Sequence, residues 1–483
     1  MKLLNKTSFL FLVIFIEGYV VLASELLAIR LLVPFVGSGT EIVSIIVSAV
    51  LLPLAIGYHM GGTAFKKHYQ KCAQSGKSSR SVRRILGRNI LIALAVLSLG
   101  LSYIFLEWFF LKMVMLGIHN RLLQTAIYCL LFLVGPVYIL GQTVPLVSNY
   151  FSRRKLSEIT GVMLFFSTTG SFFGSVFSTI VLMTYAGVHV TVMLTLGLLV
   201  VLNLLLARRL ASRGSLVCAL LVMVFVGLNG DVARNAMHIV SDNAYNTVQI
   251  GVSRDKQTKT MVLNRSIASR VSEDPNERLP YIAYIEDNFI TPMMVADSAP
   301  RDILVLGAGG FTLGLYDTHN NYIFVDIDPS LKEIAEAHFL PGELSKNKHF
   351  VPASARAFVR SETKKYDLIV IDTYTNMMAI PMETTTQEFL RDTKKLLKEN
   401  GIVVVNIISS PTFSDVFTAR YHNTFTSVFP TATRQIIGTI DPWKQPAAGK
   451  PAVANVIYSF YNTAYAHEDA VYTDDKNSYS LDR

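Results

Sequence analysis

ILVLGAGGFTLGLYDTHNNYIFVDID, residues Ile303 to Asp328, decides how the C-terminal half of this 483-residue chain is read. Four apolar residues, Ile303 to Leu306, run straight into Gly307-Ala308-Gly309-Gly310. A short amphipathic segment follows, then a second apolar run that ends in Asp326 and Asp328. The pattern predicts a buried parallel strand, a glycine turn, a helix, and a second strand with a carboxylate at its C-terminal end. Glycines let the backbone turn tightly and approach a ligand, and a helix N-terminus supplies free N–H groups. Asp326 follows the turn by about twenty residues, the distance at which an acid accepts both hydroxyls of a ribose. A ligand carrying a ribose is the expectation.

Working outward, the alternation of strand and helix continues to the end of the chain. Strands fit Ile303–Leu306, Tyr322–Asp326, His349–Val351, Leu368–Asp372 and Ile402–Ile408; helices fit Pro329–Phe339, Ala355–Arg360, Thr386–Glu399 and Asp415–Phe429. Continuous apolar strands separated by helices predict a Rossmann-like parallel sheet covered on both faces. Asn400-Gly401 reads as a helix stop before the fifth strand. The runs Thr433–Ile440 and Val453–Tyr461 read as a hairpin closing one edge. Upstream, Val248 to Ala268 alternates turn residues with β-formers and predicts a small antiparallel meander.

In such a sheet the ligand lies beyond the carboxyl ends of the strands. That face collects Gly307, Gly309 and Gly310 after the first strand, Asp326 after the second, Ser354 after the third and Asp372 after the fourth. Asp372 ends the apolar run Leu368-Ile369-Val370-Ile371, so its carboxylate is expected to project into the crevice. There it can bind an amine, deprotonate it or balance a cationic sulfonium; the bland alternative is a turn residue in Asp372-Thr373-Tyr374-Thr375. A nicotinamide dinucleotide is the rival ligand, but Thr312 stands where the third glycine of GxGxxG belongs, and the glycine motif alone is weak.

The N-terminal half is of another kind. The chain is 51% hydrophobic with mean hydropathy +0.39 and only 16% charged, which points to membrane spans. Hydrophobic segments fall at Phe9–Val36, Ile42–Gly61, Ile90–Leu111, Leu122–Val147, Ile159–Tyr185, Val190–Leu206 and Ser215–Leu228, the last one short. The first has some features of a signal peptide, but Glu17 and continued hydrophobicity to Val36 favour a retained helix. Net charge is +9, with 19 basic and 5 acidic residues up to Gly230 against 25 basic and 30 acidic beyond it. The basic excess therefore sits between hydrophobic segments, as positive-inside loops require, and is not a nucleic-acid signal. Lys66 to Arg88, Arg153-Arg154-Lys155 and Arg208-Arg209 mark cytoplasmic loops and a cytoplasmic N-terminus. Seven spans then place the C-terminal half outside; a seventh segment lying in the interface or re-entering would keep it cytoplasmic. Glu17, Glu25, Glu107, Gln142 and Asn203 fall at membrane depth, as transport groups or as hydrogen bonds within the bundle. The face Ser167, Gly170, Ser171, Gly174, Ser175 and Ser178 reads as a helix-packing surface. Cys72, Cys129 and Cys218 show no metal or disulfide spacing, and no metal is expected.

Taken together, the residues resemble the membrane-fused branch of the spermidine synthase (aminopropyltransferase) family. The likeness is carried by Ser24-Glu25-Leu26-Leu27-Ala28-Ile29-Arg30 and Ile56-Gly57-Tyr58-His59-Met60-Gly61-Gly62 in the first two spans. It continues through Ala244-Tyr245-Asn246-Thr247-Val248-Gln249, the segment Asp372 to Phe389 with Ile380-Pro381, and Tyr472-Thr473-Asp474-Asp475. The resemblance implies a polytopic membrane domain (1–230), a meander (231–300) and a methyltransferase/aminopropyltransferase-type domain (301–483). It also implies group transfer from decarboxylated S-adenosylmethionine, or S-adenosylmethionine, to a small amine or polyamine. On that reading Gly307, Gly309, Gly310 and Ser354 face the nucleoside, Asp326 takes the ribose, and Asp372 is the catalytic base. Tyr284, Glu286 and Tyr374 line the amine side. The chain departs from the soluble members at Gly310, Ser354, Thr375 and Ile285, three of which replace acids. The alternatives are a non-catalytic ligand-sensing or partner-binding protein and a membrane transporter using Glu17 and Glu25. Expected partners are the lipid bilayer, the amine and a second copy in a homodimer. The expected location is a bacterial inner membrane, with the side of the C-terminal domain left open between span parity and the cytosolic donor.

Overall fold

The computed structural model describes residues 7–73, 78–148, 156–207, 213–255, 257–274, 277–294, 299–376, 379–439 and 453–462. Arg153-Arg154-Lys155, Arg208-Arg209 and the Tyr472–Asp475 motif lie outside these residues. Internal contacts divide the chain into two units: Met1–Glu273 with Ala337–Phe339 and Tyr374–Ala379, and the remainder.

The first unit begins with helices. Among the described residues six helical stretches are long and apolar enough to cross a membrane: Thr7–Val36, Thr40–Gly62, Arg121–Ser148, Ile159–Ala186, Val188–Leu206 and Gly214–Ala236. The segment expected as one span at Ile90–Leu111 is instead a bent pair, Val82–Gly100 and Tyr103–Met115, at 69°. Ser102 makes the break: its backbone is extended and its hydroxyl accepts the Phe105 N–H, so it starts a second helix. The last segment, expected to be short, is the 17-residue helix Arg213–Asn229; an extended Gly230 ends it, and the short helix Asp231–Ala236 that follows completes the candidate span Gly214–Ala236.

Small residues set the packing of this bundle. A Cβ at Gly170 or Gly174 would collide with the carbonyls of Phe15 and Tyr19, and one at Gly18 with that of Ser167. The serine–glycine face thus brings two backbones into direct contact, and Tyr19 and Ser178 hydroxyls share a 2.8 Å hydrogen bond across it.

The meander is four antiparallel strands in sequence order, β1 Ile239–Asp242, β2 Thr247–Val252, β3 Thr258–Leu263 and β4 Ser266–Ser272. It is fastened to helix ends by side chains: Arg30 Nε donates to Asn243 O at 2.7 Å, and Arg265 pairs with Glu107 at 3.1 Å. At the other end of the Val188–Leu206 helix, Arg83 Nε bonds the Leu206 carbonyl and Asn203 Nδ2 donates to Gly87 O at 2.9 Å. The segment Tyr374–Ala379 groups with this unit, where Asn376 Nδ2 donates to Val33 O at 3.0 Å.

The second unit holds a seven-stranded sheet. Its strands are β5 Asp302–Leu306, β6 Asn321–Asp326, β7 Lys348–Pro352, β8 Tyr366–Ile371, β9 Leu397–Ser409, β10 Thr433–Thr439 and β11 Ala454–Tyr461. The order is β10-β11-β9-β8-β5-β6-β7, parallel from β9 to β7 and closed on one side by the antiparallel β11 and β10. Leu304, Leu306, Ile369, Ile371, Val403 and Val405 are fully or nearly fully buried, which is why these strands read as unbroken apolar runs.

Two expectations fail in this unit. No helix follows the glycine turn: residues 307–320 are turns and bends up to β6. Phe311 takes φ +59 there and points into the core, where it stacks edge-on against Phe324 and Phe350 at 5.2 and 5.4 Å. A burial of this kind holds the chain in a turn that a helix would have to break. The second failure is Asn400-Gly401. The Gln387–Lys395 helix stops earlier, and Asn400, at φ +62, lies inside β9, where its N–H bonds Asn462 O. The pair is an irregularity in the strand instead of a helix stop.

Candidate functional site

The sheet reverses its direction of growth between β5 and β8, the place where open α/β sheets form a ligand crevice. Two turns leave the sheet there side by side. Gly307 has φ +94, and a Cβ on it would collide with the Asp372 carbonyl. Its N–H bonds Val325 O at 2.8 Å, while Asp372 N–H bonds Leu306 O at 2.8 Å. Only glycine combines that φ with that proximity.

Asp372 lies just past β8 and both its oxygens are engaged. Tyr281 Oη donates to Oδ2 at 2.9 Å and Asn406 Nδ2 donates to Oδ1 at 2.9 Å. Burial pushes its carboxyl above the ordinary Asp range, and the two donors pull it partly back. Each carboxylate oxygen carries a second lone pair, so the group still has capacity for a ligand N–H.

Asp326 ends β6 and is oriented by backbone: Ala308 N–H donates to Oδ2 at 3.0 Å and Asp328 N–H to Oδ1 at 3.1 Å. Burial lifts its carboxyl to about 6, against these hydrogen bonds. The glycine turn and Asp326 are therefore joined directly, through Ala308. Gly309 sits at φ +51 in the same turn, followed by Gly310.

The other expected residues fall in different surroundings. Ser354 caps the Ala355–Ser361 helix, its hydroxyl accepting from Ala357 N–H at 3.2 Å. Glu286 is held by Arg278 Nη1 at 2.6 Å and by the Gly314 N–H at 2.7 Å, and Arg278 Nη2 also reaches Asp287 at 3.2 Å. Tyr284 packs edge-on against Phe289. Tyr374 opens the segment that groups with the first unit. Among the membrane-depth groups, Glu107 pairs with Arg265, Gln142 accepts from Asn89 at 3.2 Å, and Asn203 bonds Gly87 O. Glu17 is 1% exposed, and neither of its oxygens has a hydrogen-bond partner among the described residues.

Sequence reasoning missed Tyr281, Asn406 and Arg278. Asn406 had a signal, being the one polar residue inside the buried run Ile402–Ile408. Tyr281 had none beyond lying three residues before Tyr284. No group of three or more His, Cys, Asp or Glu suited to a metal occurs among the described residues.

Comparison with known proteins matches residues 283–442 to a family described as the spermine/spermidine synthase domain. The C-terminal part carries a spermine/spermidine synthase domain. Several long apolar helices precede this domain. The polyamine aminopropyltransferase of Vibrio vulnificus is 30% identical over 161 residues, 32% of this chain and 52% of that protein. That of Pyrobaculum aerophilum is 28% identical over 197 residues, 38% of this chain and 64% of that protein. An N-terminal histidine N-methyltransferase of Emericella nidulans is 34% identical over 140 residues, 28% of this chain and 24% of that protein. The chain thus spans between half and two thirds of the length of these two aminopropyltransferases. Gly307, Asp326, Asp372 and Asn406 fall inside the matched span, and Tyr281 lies just before it.

Proposed function

We propose that the protein is a membrane-integrated aminopropyltransferase, moving the aminopropyl group of decarboxylated S-adenosylmethionine, or a related adenosyl sulfonium, to an amine. The observation that carries this reading is Asp372, a buried carboxylate held by Tyr281 and Asn406 at the crevice of a spermine/spermidine synthase domain.

Gly307 and Gly309 let the backbone approach the nucleoside, and Asp326, fixed by Ala308 and Asp328, accepts the ribose hydroxyls. Ser354 adds a hydroxyl at the end of β7. The amine attacks the carbon beside the sulfonium: a C–N bond forms, the C–S bond breaks, and a neutral thioether leaves. Asp372 accepts the proton that the amine gives up. Its raised proton affinity makes it a better base than an ordinary Asp. Tyr281 and Asn406 hold the carboxylate in one orientation, so that its remaining lone pairs face one direction. Tyr284 supplies apolar and hydroxyl contacts on the amine side. Glu286 shares Arg278 with Asp287, so its own carboxylate is engaged while the three side chains together keep one negative charge. With Gly310, Ser354 and Thr375 where the soluble family members carry acids, an acceptor smaller than a long polyamine fits the reduced number of acids.

Asp372→Asn tests the reading. Turnover with donor and diamine is expected to fall by roughly 10²–10⁴-fold, while the affinity for the adenosyl product stays within about threefold. Unchanged turnover removes Asp372 from the mechanism. Nucleoside binding without product, for every donor and amine supplied to the unsubstituted protein, leaves a ligand-sensing protein in its place.

A further inference from the structure

Where the helices of the first unit meet the meander there is a small open pocket, about 420 Å³ counting its mouth. Leu31, Ile104, Val188, Val192, Leu228 and Ile239 form an apolar wall. Tyr103, His189, Arg234 and Asp242 form a polar one. The helices change to strands here, so the pocket lies at an apolar–polar boundary.

The polar wall is tightly ordered. Asp242 Oδ2 accepts the His189 backbone N–H at 2.9 Å, and Oδ1 lies 2.7 Å from His189 Nδ1. Arg234 Nη1 lies 3.1 Å from His189 Nε2. A guanidinium can only donate, so Nε2 accepts and Nδ1 carries the ring proton toward Asp242. Gly187 makes room for this: at φ +91, a Cβ on it would stand 2.8 Å from Asp242 Oδ1. With Nε2 accepting, His189 carries no charge, and Arg234 is shared between Asp242 and, just outside the pocket, Asp231, so the wall has no positive charge to spare for an anion.

Two donors in this wall remain without a use. The Arg234 Nε–H and the Tyr103 hydroxyl are both buried, with no hydrogen-bond partner among the described residues, and Tyr103 is only 9% exposed. Buried polar groups in folded proteins are almost always paired. Two unpaired donors on a wall with no positive charge to spare, opposite an apolar wall, call for an uncharged or weakly charged oxygen acceptor on an apolar body.

We propose that this pocket binds the acyl carbonyl end of a membrane amphiphile, with its oxygen taking the Tyr103 O–H and Arg234 Nε–H and its chain lying against Leu31, Val192 and Leu228. A glycerolipid ester and a free fatty acid share this chemistry. The proposal is independent of aminopropyl transfer.

The full-length protein is reconstituted in phosphatidylethanolamine–phosphatidylglycerol vesicles. One arm contains a phosphatidylglycerol with a diazirine acyl chain, the other a diazirine fatty acid. After irradiation, labelled peptides are mapped. Label is expected on peptides covering 188–192 and 228–234, from the first probe for a glycerolipid site and from the second for a fatty-acid site. Tyr103→Phe and Arg234→Gln are each expected to reduce that label at least fivefold. Tyr103→Phe is the sharper variant. A hydroxyl with no partner contributes nothing to folding, so a purely structural role, or filling by water alone, predicts undiminished label. Label equal in Tyr103→Phe and the unsubstituted protein, or no label on these peptides from either probe, overturns the proposal.

Discussion

Asp326 is oriented entirely by backbone N–H groups, so its side chain is in place before any ligand arrives. Its carboxyl, held up at about 6 by burial, titrates within an accessible pH range. Ribose hydroxyls donate to the ionised form. Binding is therefore full above that pH and lost as the pH falls through it. The affinity for an adenosyl ligand is expected to weaken by roughly tenfold between pH 7 and pH 5, the change that one unit below the pKa produces. Asp326→Asn is expected to bind weakly at every pH, with a flat profile. Calorimetric titration across this range checks both; a flat profile in the unsubstituted protein would remove Asp326 from the ribose contact. The same residue shows what was legible at this scale. A carboxylate ending an apolar run announces itself, as Asp326 and Asp372 did. Tyr281 did not, and Asn406, though the one polar residue in its apolar run, gave no sign of its link to Asp372, because a partner's identity depends on which strands become neighbours. Asn406 reaches Asp372 only because β8 and β9 pair with Ile371 beside Val405.

At the scale of elements, the turn after β5 is the critical piece, and it works without a helix behind it. The sequence between Phe311 and Leu315 has apolar spacing compatible with a helix, and spacing is all a single chain offers. The structure uses those residues otherwise: Phe311 and Leu313 are buried, and Gly314 at φ +64 lies against the Tyr322 ring. Tertiary packing has overridden the local pattern, as it does when a short segment can satisfy either. The strands were legible for the opposite reason. Burial on both faces leaves an apolar run that no other element explains at that length. Because the turn is held by backbone proximity, Gly307→Ala forces both a φ that alanine resists and a collision with the Asp372 carbonyl. The substitution is expected to cost on the order of 3 kcal/mol or more and to abolish nucleoside binding. Thermal unfolding and binding measured side by side test this. Stability and binding close to those of the unsubstituted protein would mean that the turn tolerates a Cβ.

For the whole molecule, the open matter from the sequence was the side of the membrane, and the first unit supplies a physical argument. The Val188–Leu206 helix meets the meander at His189 and the Arg83–Gly87 segment at Leu206. Nineteen residues of helix put these ends about 28 Å apart, close to the thickness of a hydrocarbon core. Arg83 and Gly87, which belong to the basic stretch of the sequence, thus lie at the end opposite the meander. Val82–Gly100 is itself 19 residues long, so it can cross before the chain bends at Ser102. Positive charge prefers the cytoplasm. The meander, and the chain that continues from it without another candidate span among the described residues, is then expected outside. Expressed in a bacterium, a phosphatase reporter fused after Arg483 is expected to be active and a cytoplasm-dependent fluorescent reporter silent. The consequence for catalysis is direct. Intact spheroplasts given donor and amine externally are expected to form product at a rate close to that of lysed cells. If product appears only after lysis, the domain faces the cytoplasm, the bent pair does not cross, and the two later basic loops lie on the far side against the charge rule.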